Sequence, residues 1–166
     1  MLMVEDVVRQ LGHLTLGTRL KRIGERLQSQ TQRILDAHEA PIQAAQFPFL
    51  AAVDRLGPLT VGELAEAVGM TQPGATRALA QLAEEGFVEI TNASDDQRRK
   101  LVTLTRQGKR LVEVGKRDVW PVIEMAVKEV CRKLSGSLLE QLAALEDGIG
   151  EEPLDRRAAS IRARRR

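Results

Sequence analysis

Apolar residues recur at helical spacing along most of the chain and give way to strict alternation once, between residues 88 and 104. Val4, Val7, Val8, Leu11 and Leu14 form one stripe, and Leu16, Leu20, Ile23, Leu27 and Ile34 form a second, slightly rotated one. Steps of three and four put such residues on one side of a helix, which predicts one long helix or two stacked pieces over residues 4–36. Gly12, Gly17 and Gly24 interrupt the pattern, each costing about 1 kcal/mol relative to alanine in a helix. Pro41 opens the next expected helix, to about Arg55, with Phe47, Phe49, Leu50 and Val53 as its packing residues. Pro48 lies inside it and either bends it or marks its true start. Gly57-Pro58 ends it.

Two short helices and a hairpin follow. Thr60 and Glu63 have the spacing of a capping box, Leu64 and Val68 share a face with Ala65 beside them, and Gly69 suits a left-handed helix end. Thr71 is a good N-cap, and Pro73 falls in the first turn, where a missing N–H does no harm. Ala75, Leu79 and Leu82 then share a face flanked by Ala78 and Ala83, while Pro73, Thr76, Arg77, Ala80 and Glu84 point away from it. Gly86 ends this second helix. Val88 and Ile90 alternate with Glu89 and Thr91, and Val102 and Leu104 with Leu101 and Thr103, so two half-buried strands are expected. The loop between them, Asn92 to Lys100, has turn residues first and three adjacent cations last.

Thr105 can cap a long helix to about Leu134, which Pro121 should kink. Leu111, Val112, Val119, Val122, Ile123, Ala126, Val127 and Val130 give it more apolar surface than one packed face needs. Ser137 and Glu140 are a second capping-box pair, opening a helix with Leu138, Leu139, Leu142 and Leu145 that should end near Gly148 and Gly150. Residues 151–166 are rich in charge and poor in apolar residues, and read as a solvated, mobile basic tail.

The fold class expected from this pattern is mainly α with a small β-hairpin wing: a winged helix-turn-helix flanked by N- and C-terminal dimerisation helices. All 166 residues are expected in one domain, with dimerisation helices at 4–36 and 105–148, the winged helix-turn-helix at 41–104 and the tail at 151–166. The terminal stripes exceed what one small winged helix can cover, which points to a symmetric homodimer. Two recognition helices would then lie about 34 Å apart and read an inverted-repeat operator in double-stranded DNA.

Within that unit the exposed start of the second helix offers Gln72, Thr76 and Arg77, residue types that bond base edges and phosphates. Thr71 and Pro73 position the helix start. Arg98, Arg99 and Lys100 suit a minor groove or its phosphates, and Asp96 is spaced to brace Arg98. An ordinary surface helix and a solvated hairpin tip are the bland readings of each feature taken alone; their succession favours a DNA reader.

Thr71-Gln72-Pro73-Gly74-Ala75-Thr76-Arg77, then Leu82-Ala83-Glu84-Glu85-Gly86-Phe87-Val88, then Asp96-Gln97-Arg98-Arg99-Lys100 leading into Val102-Thr103-Leu104-Thr105, resemble the MarR family of bacterial transcriptional regulators. The Asp-x-Arg wing followed by Val-x-Leu-Thr is the most specific part. Gly74 departs from the family pattern, which has a hydroxyl or larger side chain there. The resemblance implies a dimeric repressor released by a small molecule held between the winged helix and the dimer helices. An anionic or phenolic effector is implied, with His13, Phe47 and Trp120 as candidate lining residues. His13 itself reads as a partly buried packing residue.

Composition adds limits. Aromatic residues are 2% with no Tyr, so the core must be aliphatic. The net charge of +2 is too small to argue for nucleic acid by itself; what matters is its concentration at residues 98–100 and at Arg156, Arg157, Arg162 and Arg164 to Arg166. A single cysteine, Cys131, excludes an intramolecular disulfide and reads as a buried inert thiol. No metal-ligand spacing joins His13 to His38, no phosphate loop or nucleophile elbow occurs, and the acid pairs Glu84-Glu85 and Asp95-Asp96 have no histidine near them in sequence. An enzyme, a cofactor and a metal are therefore not expected. No run is apolar enough to span a membrane, and a cytoplasmic location is expected. The rival from another class is a winged helix used only for protein interaction or dimerisation; the polar second helix, without aromatic anchors, counts against it.

Overall fold

The computed structural model describes residues 4–92 and 100–164. The wing-tip residues Asp96, Arg98 and Arg99 lie outside the described residues, and Lys100 lies just inside them. Two compact units divide the chain, residues 1–123 and 124–166.

The first unit begins with a short helix α1 (Val7–Gln10), a 3-10 turn (Gly12–Thr15) and the long helix α2 (Leu16–Ala37). The expected N-terminal helix is thus in pieces, and the break falls at Gly12, whose φ of 57° lies in the left-handed region. Gly17 and Gly24 stay inside α2. Arg22 returns to the start of the chain and donates two hydrogen bonds of 3.0 Å to Asp6. That guanidinium holds the Asp6 carboxyl below the usual aspartate range. His13 is exposed rather than partly buried, because it lies in the 3-10 turn and off the helical stripe.

Helix α3 spans Phe47–Leu56, so it starts six residues later than Pro41 predicts. Pro48 occupies its first turn, the one place in a helix where proline leaves no carbonyl without a donor. The segment before it is held by Gln46, which is 3% exposed and accepts from the Gln43 N–H at 2.9 Å. Gly57, at φ 86°, ends α3.

Strand β1 (Leu59–Thr60) leads into α4 (Val61–Val68), and a tight turn leads into α5 (Gln72–Glu84). The capping box is complete: the Glu63 N–H donates to the Thr60 hydroxyl at 3.2 Å, and the Thr60 N–H donates to the Glu63 carboxylate at 2.7 Å. Gly69 closes α4 in the left-handed conformation. Leu64, Ala75, Leu79 and Leu82 are fully buried with Phe49 and Leu50. Each buried Leu contributes about 1.5–3 kcal/mol, and together they fix α5 against α4 within the core that α4 shares with α3.

Strands β2 (Val88–Asn92) and β3 (Lys100–Leu104) pair antiparallel, and β1 adds to the other side of β3. The sheet order β1-β3-β2 makes β3 central. Val102 is therefore fully buried, whereas Ile90, its cross-strand partner on the edge strand β2, is 36% exposed. The buried face expected of β2 is realised at Val88 alone.

Helix α6 (Arg106–Val114) is capped by Thr105, whose hydroxyl accepts from the Gly108 N–H at 3.0 Å. The expected kink at Pro121 takes another form. A π-helical turn (Gly115–Val119) precedes it, closed by the Trp120 N–H on the Gly115 carbonyl, and α7 (Trp120–Cys131) then restarts α-helical geometry. The wide turn leaves Pro121 in the first turn of that restart, where it does least damage.

In the second unit, α7 ends at Cys131, which is half-buried. The Ser137 hydroxyl caps α8 (Leu138–Glu151) by accepting from the Glu140 N–H at 3.3 Å. The segment expected to be a mobile tail instead forms α9 (Leu154–Arg164). Arg157 ties its start to the end of α8, donating to the Gly148 carbonyl at 2.6 Å and the Glu152 carbonyl at 2.9 Å. A cation on the last carbonyls of a helix also suits its dipole.

Candidate nucleic-acid interface

The candidate recognition surface is the N-terminal half of α5. Thr71 ends the preceding turn in extended backbone, and its hydroxyl accepts from the Gly74 N–H at 3.4 Å. Pro73 follows in the first turn. The N–H groups of this turn point outward with the positive end of the helix dipole, which favours an anion such as a phosphate. Gly74 fits tightly: a Cβ there would meet the Thr71 Oγ1 at 3.2 Å. A larger residue at this position presses on the cap.

Gln72, Thr76 and Arg77 are all exposed: Thr76 and Arg77 point away from the buried Ala75, Leu79 and Leu82, and Gln72 is free at the first residue of the helix. The structure therefore brings these candidates together at the exposed N-terminal end of α5. They are not equally free. Thr76 donates its hydroxyl proton to the Gln72 carbonyl at 2.9 Å, which leaves its oxygen as an acceptor toward a ligand. Arg77 makes no ion pair with any described residue, so its five donors are available. Lys100 is exposed at the start of β3, the base of the wing.

The far end of α5 is fixed more firmly. Gln81 donates to Glu85 at 3.0 Å, Gly86 turns the chain at φ 79°, and the Phe87 N–H reaches the Leu82 carbonyl at 2.9 Å. Thr105 then clamps the turn. Its hydroxyl donates to the Gly86 carbonyl at 2.6 Å and its N–H to the Phe87 carbonyl at 3.1 Å. Sequence reasoning found Thr105 as a cap and missed this second role, because Gly86 is 19 residues away and nothing local marks the pairing.

A separate cavity of about 290 Å³ lies within the first unit. Its walls are apolar, with Leu35, Phe47, Leu50, Leu111, Val119 and Trp120 among them, and its polar groups are His38, Glu39, Gln107 and Arg110. Phe47 and Trp120 meet edge to face with centroids 4.5 Å apart, a favoured aromatic geometry. The Trp120 indole lies over Gly115, where any Cβ would fall 2.4 Å from Nε1. Of the three expected lining residues, the structure places Phe47 and Trp120 in this wall. His13 is not among them; His38, at the end of α2, is the histidine of this cavity. Glu39 beside it has φ 51°, a strained left-handed conformation for a non-glycine residue. Nearby, Arg117 donates hydrogen bonds of 2.9 and 2.7 Å to Asp118 and holds its carboxyl below the usual range, with His38 adding to the effect.

Among the described residues no group of His, Cys, Asp and Glu is placed to hold a metal ion, and no helix is long and apolar enough to cross a membrane.

Residues 40–100 match the model of the MarR family. Among solved structures, a cysteine-to-serine variant of MarR from E. coli complexed with operator DNA aligns with a TM-score of 0.68 at 23% identity, covering 87% of this chain and 99% of that one. BpsR from Bordetella bronchiseptica, described with the regulation of its DNA binding by 6-hydroxynicotinic acid, aligns at 0.66 and 22%, covering 89% and 98%. A MarR family transcriptional regulator from Silicibacter pomeroyi DSS aligns at 0.58 and 28%, covering 84% and 90%.

Proposed function

We propose that this chain, which belongs to the MarR family of winged-helix regulators, is a sequence-specific DNA-binding transcriptional regulator that works as a homodimer and releases its operator when a small molecule binds. The observation that carries the reading is the α5 surface: a capped helix, anchored by fully buried Leu79 and Leu82, that presents Gln72, Thr76 and Arg77 to solvent. Gln72 and Arg77 read base edges in the major groove, Thr76 accepts a hydrogen bond there, and Thr71 and Pro73 set the helix start on a phosphate. Arg98, braced by Asp96, contacts the minor groove or its backbone together with Arg99 and Lys100. Exposed Leu20, Ile23 and Leu27 on α2, and separately Leu139 and Ile149 on α8, are the apolar residues that a second copy covers. The chain acts without catalysis, as expected of a transcriptional regulator, and works in the cytoplasm.

The effector site in this reading is the Phe47–Trp120 cavity. Its apolar walls and its Arg110, His38 and Gln107 suit a planar aromatic acid, with the ring against Trp120 and the carboxylate toward Arg110. A ligand there changes DNA binding only if it prefers one spacing of the two reading heads.

Selection of genomic fragments on the full-length protein tests the first part: the expected product is an inverted repeat, and a pool with no shared sequence overturns it. For the second part, Trp120 is the chain's one tryptophan. Titration with 6-hydroxynicotinic acid as an aromatic-acid probe should quench its emission saturably, and Arg110→Ala should weaken that binding about tenfold or more, the loss of one charged hydrogen-bonding partner. Unsaturable quenching that is the same in the variant contradicts the assignment.

A further inference from the structure

The charge of the chain is divided in a way that the winged helix alone does not explain. Residues 59–105, the DNA-reading unit, hold seven carboxylates and four cations, a net charge of −3. Residues 1–153 as a whole also carry −3, and residues 154–166, with six arginines and one aspartate, carry +5. The positive balance of the protein therefore resides entirely in its last 13 residues. Nonspecific affinity for DNA depends on cations that neutralise phosphates and release counterions, and the reading unit has only four to offer, three of them in the wing.

Helix α9 orders four of those arginines, Arg156, Arg157, Arg162 and Arg164. Arg157 is committed to the end of α8 through the Gly148 and Glu152 carbonyls, with the Glu152 carboxylate 3.6 Å away. It acts as a staple. Arg156, Arg162 and Arg164 are exposed and form no ion pair with any described residue. Arg156, Ser160 and Arg164 follow one another at intervals of four, so they share one face of α9 and span about 12 Å along it. Leu154, Ala158 and Ile161 occupy another side. Two guanidiniums with a hydroxyl between them match a phosphate backbone in charge and in donor chemistry.

We propose that α9 is an accessory phosphate-contacting helix that supplies much of the sequence-independent part of DNA affinity, while α5 and the wing supply sequence preference. The proposal rests on the DNA-binding reading of α5 above. It assigns the ordered arginines a partner, the backbone of double-stranded DNA, and makes them dispensable for choosing a sequence.

The test is fluorescence anisotropy of the full chain with a random-sequence duplex and with a selected fragment, across a salt series. Arg156, Arg162 and Arg164 are replaced together by Gln, which keeps helix propensity, and in a second variant by Lys, which keeps charge. Each phosphate that the protein no longer neutralises lowers the slope of log affinity against log salt by about 0.9. The Gln variant should be shallower by about 2 to 3 per chain and at least tenfold weaker at low salt on both duplexes, with their affinity ratio unchanged and its circular dichroism that of the parent. The Lys variant should keep the slope. An unchanged slope in the Gln variant overturns the proposal. So does an unchanged slope with loss of self-association, which would assign α9 to the carboxylate-rich α8 of a second copy. Equal binding of random and selected DNA, with a slope that still depends on the arginines, would sink the α5 reading instead and leave the role of α9 standing.

Discussion

Gly108→Ala should destabilise the protein by about 3 kcal/mol, although it adds a single methyl group to a helix. Gly108 is buried in the first turn of α6, and a Cβ there would sit 2.0 Å from the Phe87 carbonyl oxygen and 3.0 Å from its carbon. Both are backbone atoms and cannot swing aside. The same oxygen accepts the Thr105 N–H, and the Thr105 hydroxyl bonds the adjacent Gly86 carbonyl. Relief requires α6 to lift away from the α5–β2 turn and break that clamp. Overpacking of this kind costs about 1–3 kcal/mol and each broken hydrogen bond about 1 kcal/mol. Against this stands the better helix propensity of alanine, about 1 kcal/mol. In a chain of this length the net loss lowers the melting temperature by about 6–12 °C. Gly62→Ala is the control, because a Cβ at Gly62 meets nothing within 4 Å. Urea or thermal melts should separate the two variants. Equal stabilities would show that α6 does not rest on the Phe87 carbonyl.

Gln72→Ala combined with Arg77→Ala should have the opposite profile. Both side chains are exposed and neither anchors α5, whose hold on the body comes from Ala75, Leu79 and Leu82. Stability should therefore change by less than about 0.5 kcal/mol. Each good side-chain bond to a base edge is worth about 1–3 kcal/mol of discrimination. The double variant should lose roughly 100-fold or more in affinity for a selected operator and far less for random DNA, measured by anisotropy at fixed salt. The preference for the operator collapses, whereas neutralising the α9 arginines is expected to weaken all DNA alike. If the double variant keeps its operator preference, α5 is not the reading helix.

The parts of the fold that can be read from sequence are those set by short-range chemistry. Thr60 with Glu63, Thr71 with Pro73, and Gly69 and Gly86 each act within a few residues, so the helix-turn-helix follows from local rules. Phe47 and Trp120 stand out as rare aromatics, and they do meet. What is not legible depends on pairings distant in sequence. Pro41 and Pro48 both qualify as helix openers, and the choice rests on the burial of Ile42 and Gln46 in the turn between them. The π turn before Trp120 answers to the fit of an indole over Gly115, which no apolar periodicity reports. His13 and His38 look alike in sequence; only the end point of α2 places His38 at the cavity. Residues 156–164, four arginines and three alanines with one Ser and one Ile, lack a broad apolar stripe, and the start of α9 is held by the Arg157 staple.

The central claim is that the chain binds a particular DNA sequence through α5 and the wing. Its most direct test is anisotropy of the full-length protein on DNA from upstream of its own gene, repeated across a salt series and with Arg98→Ala. Salt-steep binding to an inverted repeat, at least tenfold tighter than to random DNA and much weakened by the substitution, is the expected result. Binding no tighter than to random DNA, untouched by the substitution, together with a fragment selection that returns no preferred sequence, would contradict it.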